Sequence, residues 1–439
     1  MAKASHIVVR EFEYLTKGAH DRAGCHALSA AQFDALREFI LENSGSGDDP
    51  LELMRLCALP KIGEAIQLRN YVGVIELDDD LQIEVLPKIE MSAGSNVDDR
   101  DLFLKMLSAL GGDISFRSLE TSHLSSDRLP LMEVFISMFL SECSTLVRSG
   151  LKSAYSQVSD TQSVVRGRIN FALQARSNPV HAERLHVEYD ELLLDRPENR
   201  LIKSALRLLS SATKDGTNSR TITRLLPSFE GVCESTDVDA DLSLCTYGRD
   251  TKGYVNLIAW CRVFLKGESF TAFKGSHVAT ALLFPMEQIF EDYVGKELRR
   301  EAIKSRRMQR VDLQAQTEWL FDSRRVRLRP DILATCKNGR SVVLDTKWKR
   351  VAGPRDLSVA DMHQMYAYGK RYGCDDEHNQ HVILLFPWNA SVPAGLLPAG
   401  RHVSPDGVQV DMFFVDLANM RQTVSDLLDL IEDPSALEG

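Results

Sequence analysis

The 439-residue sequence has no long apolar run, which excludes a conventional membrane-spanning helix. Its longest apolar runs, such as VILLF at 382–386, fall far short of the roughly 20 residues that a span needs. The first residues, MAKASHIVVREFEYL, contain no apolar stretch of signal-peptide length. The hydrophobic content of 44% supports sizeable cores, and the length allows two or three domains. We therefore expect a soluble, cytoplasmic protein with no membrane partner.

Two further motifs are absent. The eight cysteines are scattered, with no CxxC pair and no Cys/His spacing typical of a zinc site, so we interpret them as reduced packing residues. No G-xxxx-GK[ST] phosphate loop occurs, which removes that route to binding a nucleotide. Zinc chemistry and phosphate-loop nucleotide hydrolysis are therefore not expected of this chain.

The net charge of -10 argues by itself against a nucleic-acid partner, because phosphate binding needs concentrated Lys and Arg. The charge is unevenly distributed, however. Residues 296–350 contain 16 Lys/Arg and 7 Asp/Glu, a local balance of +9, which leaves -19 for the remainder. Solvated faces explain any single arginine, but the asymmetry as a whole favours an anionic partner at this segment.

Polar breaks and changes of pattern predict three domains. Residues 1–110 form a mixed, β-rich amino-terminal domain with a hairpin in YVGVIELDDDLQIEVLPKIE, where Asp78 to Asp80 make the turn and Pro87 ends the second strand. Residues 111–275 are largely helical, with helical spacing at 129–148 and 198–211. Residues 276–439 form the third domain.

The third domain changes from helical to mixed character. Pro285 opens a helix, and the strand-like segments VRLRPDILAT and SVVLDTKW follow it. Next comes a helix with a capping box at Ser358 and Asp361, and then HVILLFPW, typical of a fully buried strand. This order predicts a central mixed sheet flanked by helices. The fold class is thus α/β, or mixed α+β, in several domains.

Asp345 and Lys347 lie two residues apart on a predicted strand, so their side chains share one face. The position of Asp331 depends on the turn. A two-residue Asn-Gly loop sends Asp331 to the other face, whereas a three-residue loop over 337–339 pairs it with Asp345. We predict the three-residue loop, which places two carboxylates opposite each other and favours a cation between them.

Hard divalent cations prefer oxygen ligands, and Mg²⁺ typically takes one or two carboxylates with phosphate oxygens and water. Such a metal can activate water at a phosphodiester, and a neighbouring lysine can stabilise the developing negative charge. The residue set therefore suits phosphodiester hydrolysis. For an isolated D-x-K pattern, a solvated hairpin with an Asp-Lys pair is the better interpretation.

The flanking sequence favours the metal site over the solvated hairpin. Pro330-Asp331 followed by Asp345-x-Lys347 resembles the PD-(D/E)XK nuclease signature. Nucleases of this class often add a helical glutamate to the metal site, and Glu291 in FPMEQIFEDYV fits that place, one turn after Glu287. Downstream, Gln364 and Tyr368 resemble the Q-xxx-Y element of a nuclease subgroup.

The chain as a whole resembles the McrC family, the nuclease subunits of McrBC modification-dependent restriction systems. The resemblance rests on the 71–89 hairpin, on RSGLKSAY, VVRGRINF and YDELLLDRPENRLIKSAL, and on LLFPMEQIFEDYV before the nuclease motif. It covers most of residues 70–390. The first 65 residues match nothing in that pattern.

This resemblance implies a restriction-endonuclease-like domain and a DNA endonuclease that uses Mg²⁺, with Mn²⁺ as a substitute. It implies Asp331, Asp345 and Glu291 as metal ligands, Lys347 as the catalytic lysine, and Gln364 and Tyr368 in support. It further implies a partner, a McrB-like AAA+ GTPase hexamer, that binds GTP and reads modified cytosine in double-stranded DNA. The amino-terminal domain of this chain would dock on that hexamer and stimulate its GTP hydrolysis. Two alternatives stay open: a self-sufficient DNA exonuclease of the same superfamily, and a non-catalytic scaffold that only activates a GTPase.

Overall fold

The computed structural model describes residues 5–43, 54–77, 81–88, 99–107, 130–177, 184–246, 253–266, 278–316, 318–321, 323–372, 380–389, 392 and 400–434. The chain divides into two compact units. One contains Met1–Phe116 together with Ser269–Gly439, and the other contains Arg117–Glu268. Within these described ranges no helix has the length and apolar character needed to cross a membrane.

The amino-terminal part of the first unit contains two four-stranded sheets. Strands β2, β3, β4 and β5 form one sheet in the order β3-β2-β5-β4, and the other has the order β1-β7-β6-β11. The elements are β1 (Ser5–Arg10), β2 (Tyr14–Lys17), β3 (Cys25–Leu28), α1 (Ala30–Asn43), β4 (Met54–Leu59), β5 (Gly63–Leu68), β6 (Tyr71–Leu77), β7 (Leu81–Leu86), α2 (Asp99–Leu107) and β11 (Val278–Pro285).

The hairpin predicted at 71–86 is confirmed. Strands β6 and β7 pair antiparallel, with Ile75 opposite Ile83, and both of these side chains are buried. The turn predicted at 78–80 lies outside the described residues. The hairpin is buried on both faces, because Val72 and Val74, which point away from Ile75, are only 0% and 2% exposed.

Strand β11 joins the amino-terminal sheet by pairing antiparallel with β6. Most of the segments predicted as 1–110 and 276–439 therefore belong to the same compact unit, although residues 111–275 separate them in the sequence. The predicted functional division into three domains stays a prediction. Because β11 pairs with β6 and leads directly into α9, the amino-terminal sheet is joined to the first helix of the carboxy-terminal domain.

The second unit is largely helical and also contains a small sheet of order β8-β10-β9. The helices predicted at 129–148 and 198–211 are both present as α3 and α5. The elements are α3 (Leu131–Ser149), β8 (Ala154–Gln162), β9 (Arg168–Ile169), α4 (Phe171–Ser177), β10 (Leu185–Leu193), α5 (Pro197–Ala212), α6 (Gly216–Leu225), α7 (Val238–Leu244) and α8 (Val255–Lys266).

The carboxy-terminal domain is built on a six-stranded mixed sheet of order β12-β13-β14-β15-β17-β16. Strands β14, β15 and β17 run parallel, and the outer pairings are antiparallel. The elements are α9 (Met286–Ser305), β12 (Met308–Leu313), β13 (Ile332–Cys336), β14 (Ser341–Thr346), α10 (Val359–Tyr372), β15 (Gln380–Pro387), β16 (Gly400–Val403), β17 (Val408–Val415) and α11 (Met420–Glu432).

Helices cover both faces of this sheet. Met365 of α10 packs with Val343, Val382 and Leu384 on one face, while α9 lies on the other. The mixed α+β class is confirmed, and the predicted helix, two strands, helix and strand are found in that order, but a further strand that was not predicted, β12, lies between the first helix and the hairpin. Strand β15 is buried along nearly its whole length, as its continuous apolar run predicts, because it lies between two other strands and beneath helices.

The close approach of β6 and β11 explains why position 73 is glycine. Gly73 has a φ of +140°, and a Cβ there would lie 1.9 Å from the backbone oxygen of Leu282. We expect Gly73→Ala to lower the free energy of unfolding by more than about 1 kcal/mol, because the backbone conformation and the contact are both unfavourable. Denaturant unfolding measures this change.

Gly353→Ala is the matched control. An added methyl group there meets no atom within 4 Å, and the φ of 176° is ordinary extended backbone. We expect its unfolding midpoint to stay near that of the wild type. Equal midpoints for Gly73→Ala and the wild type would contradict the packing described for β6 and β11.

Candidate active site

The hairpin of β13 and β14 brings the two predicted carboxylates together. Ile332 lies opposite Leu344, and continuing this register by one residue places Asp331 opposite Asp345. The strands are joined by a three-residue loop over 337–339, closed by backbone hydrogen bonds, whose glycine has a φ of +87°. The predicted three-residue loop is therefore confirmed, and the two-residue alternative is wrong.

Asp345 is the most deeply buried carboxylate of the site, with 1% of its surface exposed. Its carboxylate forms an ion pair with the Lys347 ammonium, as expected for side chains two apart on a strand. Burial and the neighbouring Asp331 carboxylate raise the pKa of Asp345 to about 7, and Lys347 opposes that shift. Burial alone would lower the pKa of Lys347, but the ion pair outweighs it and raises the pKa.

Asp331 is oriented by the end of the neighbouring strand. Its Oδ2 accepts hydrogen bonds from the backbone N–H and the hydroxyl of Thr346, both at 2.6 Å. Two donors from one residue fix the direction of the carboxylate and partly balance its charge. No sequence pattern assigns a role to Thr346, because its contact with Asp331 depends on the register of the two strands.

Gln364 and Tyr368 connect the lysine to the backbone beside the first aspartate. Lys347 Nζ donates to Gln364 Oε1 at 3.2 Å, and Gln364 Nε2 donates to the Tyr368 hydroxyl at 3.0 Å. The Tyr368 hydroxyl in turn donates to the carbonyl of Arg329 at 2.9 Å. Burial, with the Asp345 carboxylate, raises the pKa of Tyr368 to about 12, so the hydroxyl keeps its proton at neutral pH.

Glu291 of α9 lies near the same carboxylates. Its Oε1 accepts a hydrogen bond from Gln314 Nε2 at 2.9 Å, and the Gln314 backbone N–H donates to the carbonyl of Asp331 at 2.7 Å. Burial and the Asp331 charge raise the pKa of Glu291 to about 7. Gln314, which the sequence did not single out, thus links the helical glutamate to the strand hairpin. Glu287, one turn earlier, accepts instead from Asn70 at 3.2 Å.

The predicted metal ligands are neighbours but do not form a closed cluster. Over the part of the chain that the structure describes, no three His, Cys, Asp or Glu side chains are grouped closely enough to hold a metal ion. Asp331 is hydrogen-bonded to Thr346, Asp345 is ion-paired with Lys347, and Glu291 is hydrogen-bonded to Gln314. The donors are nevertheless carboxylate oxygens whose charges repel each other, and such a set fits a hard divalent cation.

Comparison with solved structures shows the class of fold. The chain aligns with a chain of the refined half-complex from a tetradecameric assembly of Thermococcus gammatolerans McrB AAA+ hexamers with bound McrC. The TM-score is 0.69 at 17% identity, covering 98% of this chain and 100% of that one. A second structure, the McrBC complex of the same organism, gives a TM-score of 0.49 at 19% identity, covering 72% of this chain and 90% of that one.

Residues 66–387 match the family described as "McrBC 5-methylcytosine restriction system component". The chain belongs to this family, which confirms the resemblance found in the sequence. The matched range contains all six predicted site residues and leaves out the first 65 residues. Comparison with curated proteins gives no match.

The raised pKa values predict how stability varies with pH. Because Asp345 ionises near pH 7 when folded and near 3.8 when unfolded, its contribution is complete below pH 4 and is lost as the pH rises to about 7. Glu291 acts in the same direction. We expect Asp345→Asn to gain stability relative to the wild type by a few kcal/mol across this range.

Denaturant unfolding at several pH values, in the presence of a chelator, measures this difference. The two stability curves should diverge from pH 4 to pH 7 and then run parallel. Curves that stay parallel from pH 4 upward would show that Asp345 is ionised in the folded protein throughout, which contradicts the environment described here.

Proposed function

We propose that this protein is the DNA endonuclease subunit of a GTP-dependent, McrBC-like restriction complex that acts in the cytoplasm against phage DNA. One observation carries the proposal: Asp331 and Asp345 lie opposite each other, and Lys347 is ion-paired with Asp345. A structural hairpin has no need for opposed carboxylates, since they repel and one of them is buried. A site that binds a cation and a phosphate accounts for all three residues.

Asp331 and Asp345 are the proposed ligands of Mg²⁺, for which Mn²⁺ can substitute, and Glu291 is the accessory ligand. The metal supplies stabilisation of negative charge and a lowered pKa for bound water. Lys347 keeps its proton and presents a positive charge to the phosphate, where charge develops during hydrolysis. Gln364 and Tyr368 fix the ammonium direction, because the chain of hydrogen bonds ends on a backbone carbonyl.

The proposed substrate is double-stranded DNA. The hairpin with Asp331, Asp345 and Lys347 lies within the basic segment 296–350, whose local charge of +9 suits a phosphate backbone, whereas Glu291, Gln364 and Tyr368 lie outside that segment.

The proposed partner is a McrB-like AAA+ GTPase hexamer, which binds GTP and reads modified cytosine. Two findings support it: the family is described by the 5-methylcytosine restriction system, and the aligned assembly contains McrB AAA+ hexamers with bound McrC. The sequence lacks a G-xxxx-GK[ST] loop of its own. In this proposal the chain contributes cleavage and stimulates the partner's GTP hydrolysis.

The lysine pair provides a matched test of catalysis. We expect Lys347→Ala to reduce the rate of DNA cleavage by about 100-fold or more, because the charge nearest the proposed reaction is lost. Lys349→Ala is the control, because Lys349 is ion-paired with Asp361 at 2.7 Å and not with Asp345. Stimulation of the partner's GTPase should be unchanged in both variants. Equal cleavage by the two variants would contradict the assignment of Lys347.

Cleavage of methylated and unmethylated plasmid DNA tests the function as a whole. The protein is incubated with Mg²⁺, with and without GTP and a McrB-like GTPase encoded beside it. We expect cutting of methylated DNA only in the complete mixture. Cutting by the protein alone would favour a self-sufficient nuclease, and accelerated GTP hydrolysis without cutting would favour the non-catalytic scaffold.

A further inference from the structure

A buried carboxylate from the first 65 residues contacts the amino acid that follows the proposed catalytic lysine. Glu11 is 2% exposed, and its Oε2 accepts hydrogen bonds from the indole N–H of Trp348 at 3.0 Å and from the backbone N–H of Lys88 at 2.9 Å. Glu11 lies outside the range that matches the family. Its contact therefore joins an unassigned segment to the end of β14.

Trp348 occupies a position that affects two site residues at once. Its side chain is 2% exposed, and its ring packs against Phe290 with centroids 5.4 Å apart. Trp348 directly follows Lys347, and Phe290 directly precedes Glu291. Any shift of the indole consequently moves the backbone beside both proposed catalytic groups, because a close-packed interior transmits displacement.

A second link runs from the same region to the start of α9. Lys88 Nζ donates to Asn70 Oδ1 at 3.4 Å, and Asn70 Nδ2 donates to Glu287 Oε1 at 3.2 Å. The carbonyl of Asn70 also accepts from the backbone N–H of Met286 at 3.0 Å. These contacts fix the first turn of the helix that carries Glu291.

The turn that presents Glu11 is conformationally costly. Phe12 has a φ of +68°, which is rare for a bulky residue, and its N–H donates to the carbonyl of Leu68 at 3.0 Å. The Lys88 ammonium lies 4.3 Å from the centroid of the Phe12 ring. A strained backbone and a buried carboxylate both oppose folding, and such costs are concentrated at functional sites.

We infer that Glu11 is a positioning residue for DNA cleavage, which holds Lys347 and Glu291 in place through the side chain of Trp348. The inference rests on the proposed nuclease function. In this arrangement the strained turn at 10–13 makes the amino-terminal segment part of the cleavage apparatus, although it supplies no group to the reaction.

The test compares single-turnover cleavage by the complete complex, with saturating Mg²⁺ and GTP. We expect Glu11→Ala and Trp348→Phe each to lower the cleavage rate by about 10- to 100-fold, the loss typical of a displaced catalytic group. The KM for DNA and the stimulation of GTP hydrolysis should stay at wild-type values. Glu11→Gln, which can still accept both hydrogen bonds, should restore most of the rate.

Two controls separate positioning from general stability. Glu13→Ala changes the same turn, since Glu13 accepts from the Arg10 backbone N–H at 2.7 Å and pairs with His26 at 2.8 Å, but it does not contact Trp348. We expect it to cut at nearly the wild-type rate. The double variant of Glu11→Ala with Trp348→Phe should lose no more than either single variant, because both remove one shared hydrogen bond.

Each result separates the inference from the function on which it rests. If the wild type cuts and Glu11→Ala or Trp348→Phe cuts equally fast, the inference is wrong and the nuclease function stands. If Glu13→Ala loses as much as Glu11→Ala, turn stability is the cause and positioning is overturned. Should Glu11→Ala fail to fold, Trp348→Phe, which keeps the aromatic packing, decides alone. A wild type that never cuts rejects the proposed function itself, and the inference with it.

Discussion

Two carboxylates that repel each other, Asp331 and Asp345, are held opposite one another by the register of β13 and β14. Several neighbouring side chains offset that repulsion. Thr346 provides two donors to Asp331, while Lys347 neutralises Asp345. Burial, together with the charge of Asp331, raises the pKa of Asp345 and of nearby Glu291 to about 7. Such an arrangement costs stability, and binding of a cation would recover it.

The supporting residues come from elements far apart in the sequence. Gln364 and Tyr368 approach from α10, and Gln314 approaches from the end of β12. Gln314 links Glu291 to the backbone of Asp331, and Gln364 and Tyr368 together link Lys347 to the carbonyl of Arg329, so the charged side chains are held by a network rather than by single contacts. Networks of this kind keep reactive side chains in one rotamer, which preorganises a site before any ligand binds.

The amino-terminal segment is part of the same compact unit as the site. Strand β11 pairs with β6 in the sheet that also contains β7, and helix α9 begins at the next residue. The hairpin at 71–86 is therefore connected through β11 to the helix that carries Glu291. Glu11 adds a contact to Trp348 from outside the range matched by the family. The range matched by the family therefore leaves out a segment that contacts the carboxy-terminal domain directly.

The sequence by itself determined the local features: the period-two hairpins, the helices at α3, α5 and α9, the mixed α+β class and the D-x-K pair, because these depend on neighbours in the chain. It also restricted the turn to two registers. Only the tertiary structure decided which residues support the charges, such as Thr346, Gln314 and Glu11. Their roles arise from contacts across strands and between segments up to 337 positions apart, which no local periodicity encodes.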